Sequence, residues 1–241
     1  MENSLTIALA RQSVLERQMA VIATNLANLE TAGFKAENMI FAEIIEMDPL
    51  TGDFLSIVHD VGFVRDLSEG PLVGTHSPLD MAVHGEGYFV IDTPDGERYT
   101  RHGVFQLDVA GKIVTTEGHP VLNSGGAPIT VPPDTSTITV TRDGTVSADA
   151  QELGKIKLVR FENQQLLTKT GSGLYDAKAQ APQPAPDSEI IQGMVENSNV
   201  KGVVEMTRMI DTVRAYQAAA KLADTEHQRI LDAIEALVAP A

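Results

Sequence analysis

Asn199-Val200-Lys201-Gly202-Val203-Val204-Glu205-Met206-Thr207-Arg208-Met209-Ile210 opens a run whose apolar residues return every three or four positions. The row continues through Val213, Gln217, Ala220, His227, Leu231, Ile234 and Val238 and is broken at Asp224. That period predicts a helix from about Asn199 to Leu237, capped by Asn197-Ser198-Asn199 and closed before Pro240. At about 39 residues it would reach nearly 60 Å, long for a helix inside a globular domain, so it needs a long partner.

The partner is readable at the other end of the chain. Residues 3–29 place Leu5, Ala8, Leu15, Met19, Ile22, Leu26 and Leu29 on one heptad seam, with Gln12 interrupting. Asn3 or Ser4 can cap the start, and Gly33 after Thr31-Ala32 can take the positive φ that ends a helix. A second apolar row at Ile7, Ala10, Val14 and Val21 exceeds what a single partner helix would cover.

Between the helices the period changes. Tyr88-Phe89-Val90-Ile91, Ile113-Val114-Thr115 and Ile138-Thr139-Val140-Thr141 alternate with turn pairs such as Asp95-Gly96, Glu117-Gly118 and Asp143-Gly144. This predicts antiparallel β structure. Pro182, Pro184 and Pro186 alternate with other residues and read as an extended spacer. The expected fold class is α+β, with long N- and C-terminal helices forming a coiled coil and an antiparallel all-β domain inserted between them. The expected divisions are an N-terminal helix and turn over 1–35, an extended connecting segment over 36–75, the β domain over 76–180, the spacer over 181–189 and the C-terminal helix over 190–241.

Composition narrows the chemistry. The 241 residues carry 33 Asp and Glu against 18 Lys and Arg, a formal net charge of −15, and 43% are hydrophobic. Such a chain can fold, and it repels phosphate backbones and anionic lipid, so neither nucleic acid nor membrane insertion is expected. Met1-Glu2-Asn3 does not open a basic n-region, and no cleavable signal peptide is expected. The absence of cysteine removes disulfides, thiolate metal sites and cysteine nucleophiles.

His76, Asp80 and His84 are spaced by four, with His102 and His119 following. On a strand, four-residue steps separate side chains by roughly 13 Å, too far for one ion. Asp80 and Glu86 could be imagined as a glycosidase pair, but sequence places neither in a buried setting. Gly85-Glu86-Gly87 precedes a strand and is no dinucleotide fingerprint. No catalytic residue, metal or cofactor is expected.

Three blocks carry a family resemblance. Ala23-Thr24-Asn25-Leu26-Ala27-Asn28-Leu29-Glu30-Thr31-Ala32-Gly33-Phe34-Lys35 is the first. Leu79-Asp80-Met81-Ala82-Val83-His84-Gly85-Glu86-Gly87-Tyr88-Phe89-Val90, followed by Tyr99-Thr100-Arg101-His102-Gly103-Val104-Phe105, is the second. Gln192-Gly193-Met194-Val195-Glu196-Asn197-Ser198-Asn199-Val200 is the third. In this order the chain resembles the flagellar rod and hook proteins of bacteria.

The resemblance implies a non-enzymatic structural subunit of the basal-body rod in its proximal part, polymerising through its terminal helices to transmit torque from motor to hook. Implied partners are further copies of the chain, other rod and hook proteins, and the flagellar type III export apparatus. The implied location is the periplasm-spanning rod. Candidate subunit-interface residues are Leu5, Leu15, Met19, Ile22, Asn25, Leu26, Asn28, Ser198, Asn199, Val203, Met206, Ile210, Val213, Tyr216, Leu231 and Ile234. Asn25, Asn28 and Asn199 read equally as caps or as buried contacts fixing register. Phe41-Ala42-Glu43-Ile44-Ile45 resembles the family's export-gate motif, with Phe41 and Ile45 as its aromatic and apolar positions. Alternatives are a distal-rod or hook-type subunit or, from another class, a monomeric β-domain carbohydrate-binding protein or enzyme whose helices form a private hairpin.

Overall fold

The three-and-four apolar spacing near the N-terminus produces helix α1, Glu2–Ala27, and the matching C-terminal run produces α2, Gly202–Val238, 37 residues and about 55 Å long. A computed structural model describes residues 2–47, 54–178 and 180–238. The chain divides into two units, residues 1–27, 37–65 and 201–241 in the first, and 28–36 with 66–200 in the second.

In the first unit, β1 (Glu37–Met47) and β2 (Phe54–Arg65) pair antiparallel from Glu37↔Arg65 to Met47↔Phe54. The register shifts between Ile40 and Phe41, opposite Gly62, whose φ is +147°. Helix α1 packs on α2 and on this hairpin.

The expected coiled coil is not formed. Only two α-helices are present among the described residues, and the heptad row of α2 does not face α1 as a seam. Val203 is 80% exposed, Met206 55%, Ile210 53%, Leu231 45% and Ile234 52%. The buried residues of α2 are instead Glu205, Thr212, Ala219 and Ala223. Small side chains bring helix backbones close without the large alternating knobs that a coiled coil inserts into its partner. Those buried residues lie on the opposite face from Val203, Met206 and Ile210, and α1 also meets a β hairpin.

The second unit begins from Tyr88-Phe89-Val90-Ile91, an unbroken apolar run that forms most of β5 (Tyr88–Thr93) and is buried on both faces. A strand with two buried faces belongs inside a sheet. Around it stand β3 (Leu72–Gly74), β4 (Met81–His84), β6 (Gly96–Thr100), β7 (Phe105–Leu107), β8 (Ile113–Thr115) and β9 (Ile138–Val140). There follow β10 (Thr145–Ala148), β11 (Gln151–Lys155), β12 (Leu158–Arg160), β13 (Thr168–Gly171) and β14 (Leu174–Asp176). The last three are β15 (Gln183–Pro184), β16 (Glu189–Gln192) and β17 (Met194–Glu196).

The largest sheet has the order β13-β14-β6-β5-β12-β15, and a three-stranded sheet has the order β11-β10-β9. The remaining pairs are β16-β4, β17-β3 and β7-β8, all antiparallel. Phe89 and Ile91 enter one core with Met81, Phe105, Ile113, Val146 and Ile190. Tyr88 and Val90 enter a second with Tyr99, Val159, Phe161 and Tyr175. Edge-to-face ring pairs fix both, Phe89 with Phe105 at 5.1 Å and Tyr99 with Phe161 at 4.7 Å. Gly103 permits the close approach of its loop, because a Cβ there would lie 1.6 Å from the Met81 carbonyl oxygen.

Candidate assembly surface

Asn25, at the end of α1, is 1% exposed and acts inside its own unit. Its Nδ2 donates to the Glu37 carbonyl at 2.8 Å, and its Oδ1 accepts from the Glu37 N–H at 3.0 Å. The side-chain amide therefore pairs with β1 as a neighbouring strand would. Nδ2 also donates to Glu205 Oε2 at 3.2 Å. Arg208 Nη1 donates to Glu205 Oε1 at 2.7 Å and to Asn38 Oδ1 at 3.1 Å. Helix α1, hairpin and α2 are thus joined by one polar network, and Asn25 is not a helix cap.

Ile22 is buried, while Leu15, Met19, Leu26, Val213 and Tyr216 are half-buried. Leu5 lies in α1 and Ile45 in β1 by their backbone, but their side chains lie outside the described residues. Phe41 is 40% exposed. The bulky row of α2 stays open to solvent, so the structure separates the helix surface into a covered face of small and polar residues and an uncovered apolar one.

In the second unit, the three sequence blocks meet at one buried carboxylate. Glu196 Oε1 lies 2.5 Å from Lys35 Nζ, and its Oε2 lies 3.0 Å from Arg101 Nη1. The Gly70 N–H donates to Oε1 at 2.9 Å, and Lys35 Nζ donates to the Ser68 carbonyl at 2.7 Å. The Glu196 carbonyl accepts from the Gly33 N–H at 2.7 Å, and Arg101 also donates to the Gly85 carbonyl. Burial lowers the Lys35 pKa, and the Glu196 charge opposes that shift.

Asn199 has a similar clamping role: its Oδ1 accepts from Ala36 N–H at 2.8 Å, and Nδ2 donates to the carbonyls of Asp66 and Ser68 at 3.0 Å each. Ser198 Oγ accepts from Val200 N–H at 3.3 Å, and Asn28 Oδ1 from Thr31 Oγ1 at 3.1 Å. Sequence reasoning flagged the asparagines but missed Glu196, Lys35 and Arg101 as a group. Each comes from a different matched block, and no local spacing links them.

The discounted chemical candidates are placed as follows. His84 Nδ1 lies 3.0 Å from Glu69 Oε2, and Glu69 Oε1 accepts from the Gly85 N–H. His102 is half-buried, and burial lowers its pKa against the opposing charges of Glu117 and Asp80. Among the described residues, no three His, Asp or Glu side chains gather as metal ligands, and no helix is long and apolar enough to cross a membrane.

These buried polar groups connect chain segments, which is the chemistry of a scaffold. Residues 82–148 match the flagellar hook protein FlgE/F/G D1 domain, and residues 191–236 match the flagellar basal body rod FlgEFG protein C-terminal family. The chain is 39% identical to the flagellar basal-body rod protein FlgF of Caulobacter vibrioides, covering 98% of both chains. It is 36% identical to FlgF of Salmonella typhimurium, covering 92% of this chain and 93% of that one. Against the rod protein FlgG of Bacillus subtilis the identity is 32%, covering 95% and 96%. The chain belongs to the family of bacterial flagellar basal-body rod proteins, close to FlgF, as a structural subunit of the rod.

Proposed function

We propose that the chain occupies the proximal rod, where it polymerises through exposed faces of its terminal helices with copies of itself and with other rod and hook proteins. The contact transmits torque from motor to hook. The observation that supports this is the exposed trio Val203, Met206 and Ile210, on a helix whose opposite face is already covered. An exposed apolar row favours a partner, because burial releases roughly 25 cal/mol for each Å² removed from water. Torque then acts against many side-chain contacts that must be displaced together.

The same row weighs against a private hairpin in a monomer, which would cover it. The exposed Phe41 fits an early encounter with the type III export apparatus. The rod position across the periplasm follows from that route. No catalytic role is assigned.

The test is a double change of Met206→Glu and Ile210→Glu in the full chain. Helical content and exported protein are expected to remain, with swimming lost and basal bodies incomplete. Normal swimming with the double variant incorporated would overturn the reading.

A further inference from the structure

The run Ile156-Lys157-Leu158-Val159-Arg160-Phe161 around β12 is rich in residues that favour strands, and β12 stands one strand in from the edge of the six-stranded sheet. An open edge beside such a run invites pairing with another chain unless something blunts it. The sheet's other outer strand, β13, is blunted by a register shift between Lys169 and Gly171, where Gly171 has φ +104°. In the three-stranded sheet β11 carries a similar shift, with Gly154 at φ +150°. Between β12 and β15 there is no shift, and the ladder has only the rungs Val159↔Pro184 and Arg160↔Gln183. Pro184 has no N–H, so the donor that bonds β12 is Gln183, and alternation turns Pro184 and Pro182 to the outside. Pro182, Gln183 and Pro184 are all exposed. This strap then closes in a turn with Pro186 at its second position, where the Ser188 N–H donates to the Ala185 carbonyl at 3.3 Å.

We infer that Pro182–Pro186 is an edge guard: by removing the outward N–H donors at β15 it keeps the sheets of two copies of this chain from joining. The inference concerns the second unit and needs nothing from the helix-based assembly reading. A second copy is the partner excluded, because β15 carries its own complement. Another β15 turned about a two-fold axis would continue the sheet in the antiparallel sense that β12 and β15 already have. Net charge does not give this protection locally. In the two cavities beside the strap, of about 520 and 350 Å³, Asp143, Glu86 and Glu162 are matched by Lys155, Lys157 and Arg160. The overall charge of −15 is itself screened beyond about 10 Å at ordinary salt. The same cavities show that the strap does not seal a core, since it meets β12 along two rungs with open space on both sides of them.

The test is Pro182→Thr with Pro184→Thr in the purified full chain, which returns two outward donors without lengthening the strap. Sedimentation over a range of concentrations is expected to show the variant at twice the mass of the native chain at equal concentration. The urea midpoint should fall only slightly, as the loss of proline stiffness requires. In hydrogen exchange, the variant's amides at positions 182 and 184 should exchange more slowly as its concentration rises. Equal masses without concentration-dependent protection at these positions would overturn the inference, and so would association protected only elsewhere in the chain. A marked fall in the midpoint without association would assign the prolines to stability and overturn it as well. Where the double variant does not fold, Pro184→Ala returns one donor and is judged by the same readouts. The expected result is the same with Met206→Glu and Ile210→Glu added, so the edge guard and the assembly reading fail separately.

Discussion

Glu196 holds two cations with its side chain 1% exposed, beside Lys35 at 3% and Arg101 at 4%. Removing one partner of such a group leaves buried charge uncompensated, which costs more than the intact cluster contributes. Glu196→Gln is expected to lower unfolding free energy by about 3–5 kcal/mol, read as a shift in the urea midpoint. Glu69 behaves differently. Burial acts to raise its pKa, but the Gly85 N–H and His84 outweigh it and hold the carboxyl below its ordinary 4.5. A carboxyl depressed in the folded state stabilises above its unfolded pKa and loses that contribution as pH falls through the folded one. The advantage of the native chain over Glu69→Gln is therefore expected at neutral pH and should shrink below about pH 4.5 in pH-dependent urea titrations. Neither group was legible from spacing, because positions 35, 101 and 196 are joined by the fold and not by any local period.

At the level of elements, the helices were the most legible part. The reading of 3–29 and 199–237 became Glu2–Ala27 and Gly202–Val238. Periodicity identifies residues that share a face without saying which face is covered. In α2 the covered face contains Thr212, Ala219 and Ala223, whose weak hydrophobicity hid it, while the bulkier row suggested a seam. The pairing of 37–47 with 54–65 also escapes local reading, since both strands mix apolar and charged residues on both faces. The β10–β11 turn illustrates a different element-level effect. It places Asp149 at φ +46° and Ala150 at φ +71°, the left-handed region that suits glycine. Relief of that conformation in Ala150→Gly is expected to raise unfolding free energy by about 1 kcal/mol, measured by thermal or urea unfolding.

For the whole molecule, the second unit has its own cores and its own buried ion cluster, but it recruits residues 28–36 from beyond the hairpin. A fragment spanning residues 28–200 is therefore expected to unfold in one cooperative transition. A fragment spanning 66–200 lacks Lys35 and should unfold at lower urea. Tyrosine fluorescence checks both, because Tyr88, Tyr99 and Tyr175 are buried in this unit and the chain has no tryptophan. Retention of the longer fragment's midpoint after loss of residues 28–65 would show that the ion cluster contributes little.

The β4–β16 and β3–β17 ladders draw residues 72–84 alongside residues 189–196, so the second unit returns the chain close to where it received it. A segment that enters and leaves by adjacent strands can be lengthened, shortened or exchanged between those strands while its flanking sequence keeps its path. In evolutionary terms the fold is a cassette: the flanking chain can stay fixed while the interior diversifies.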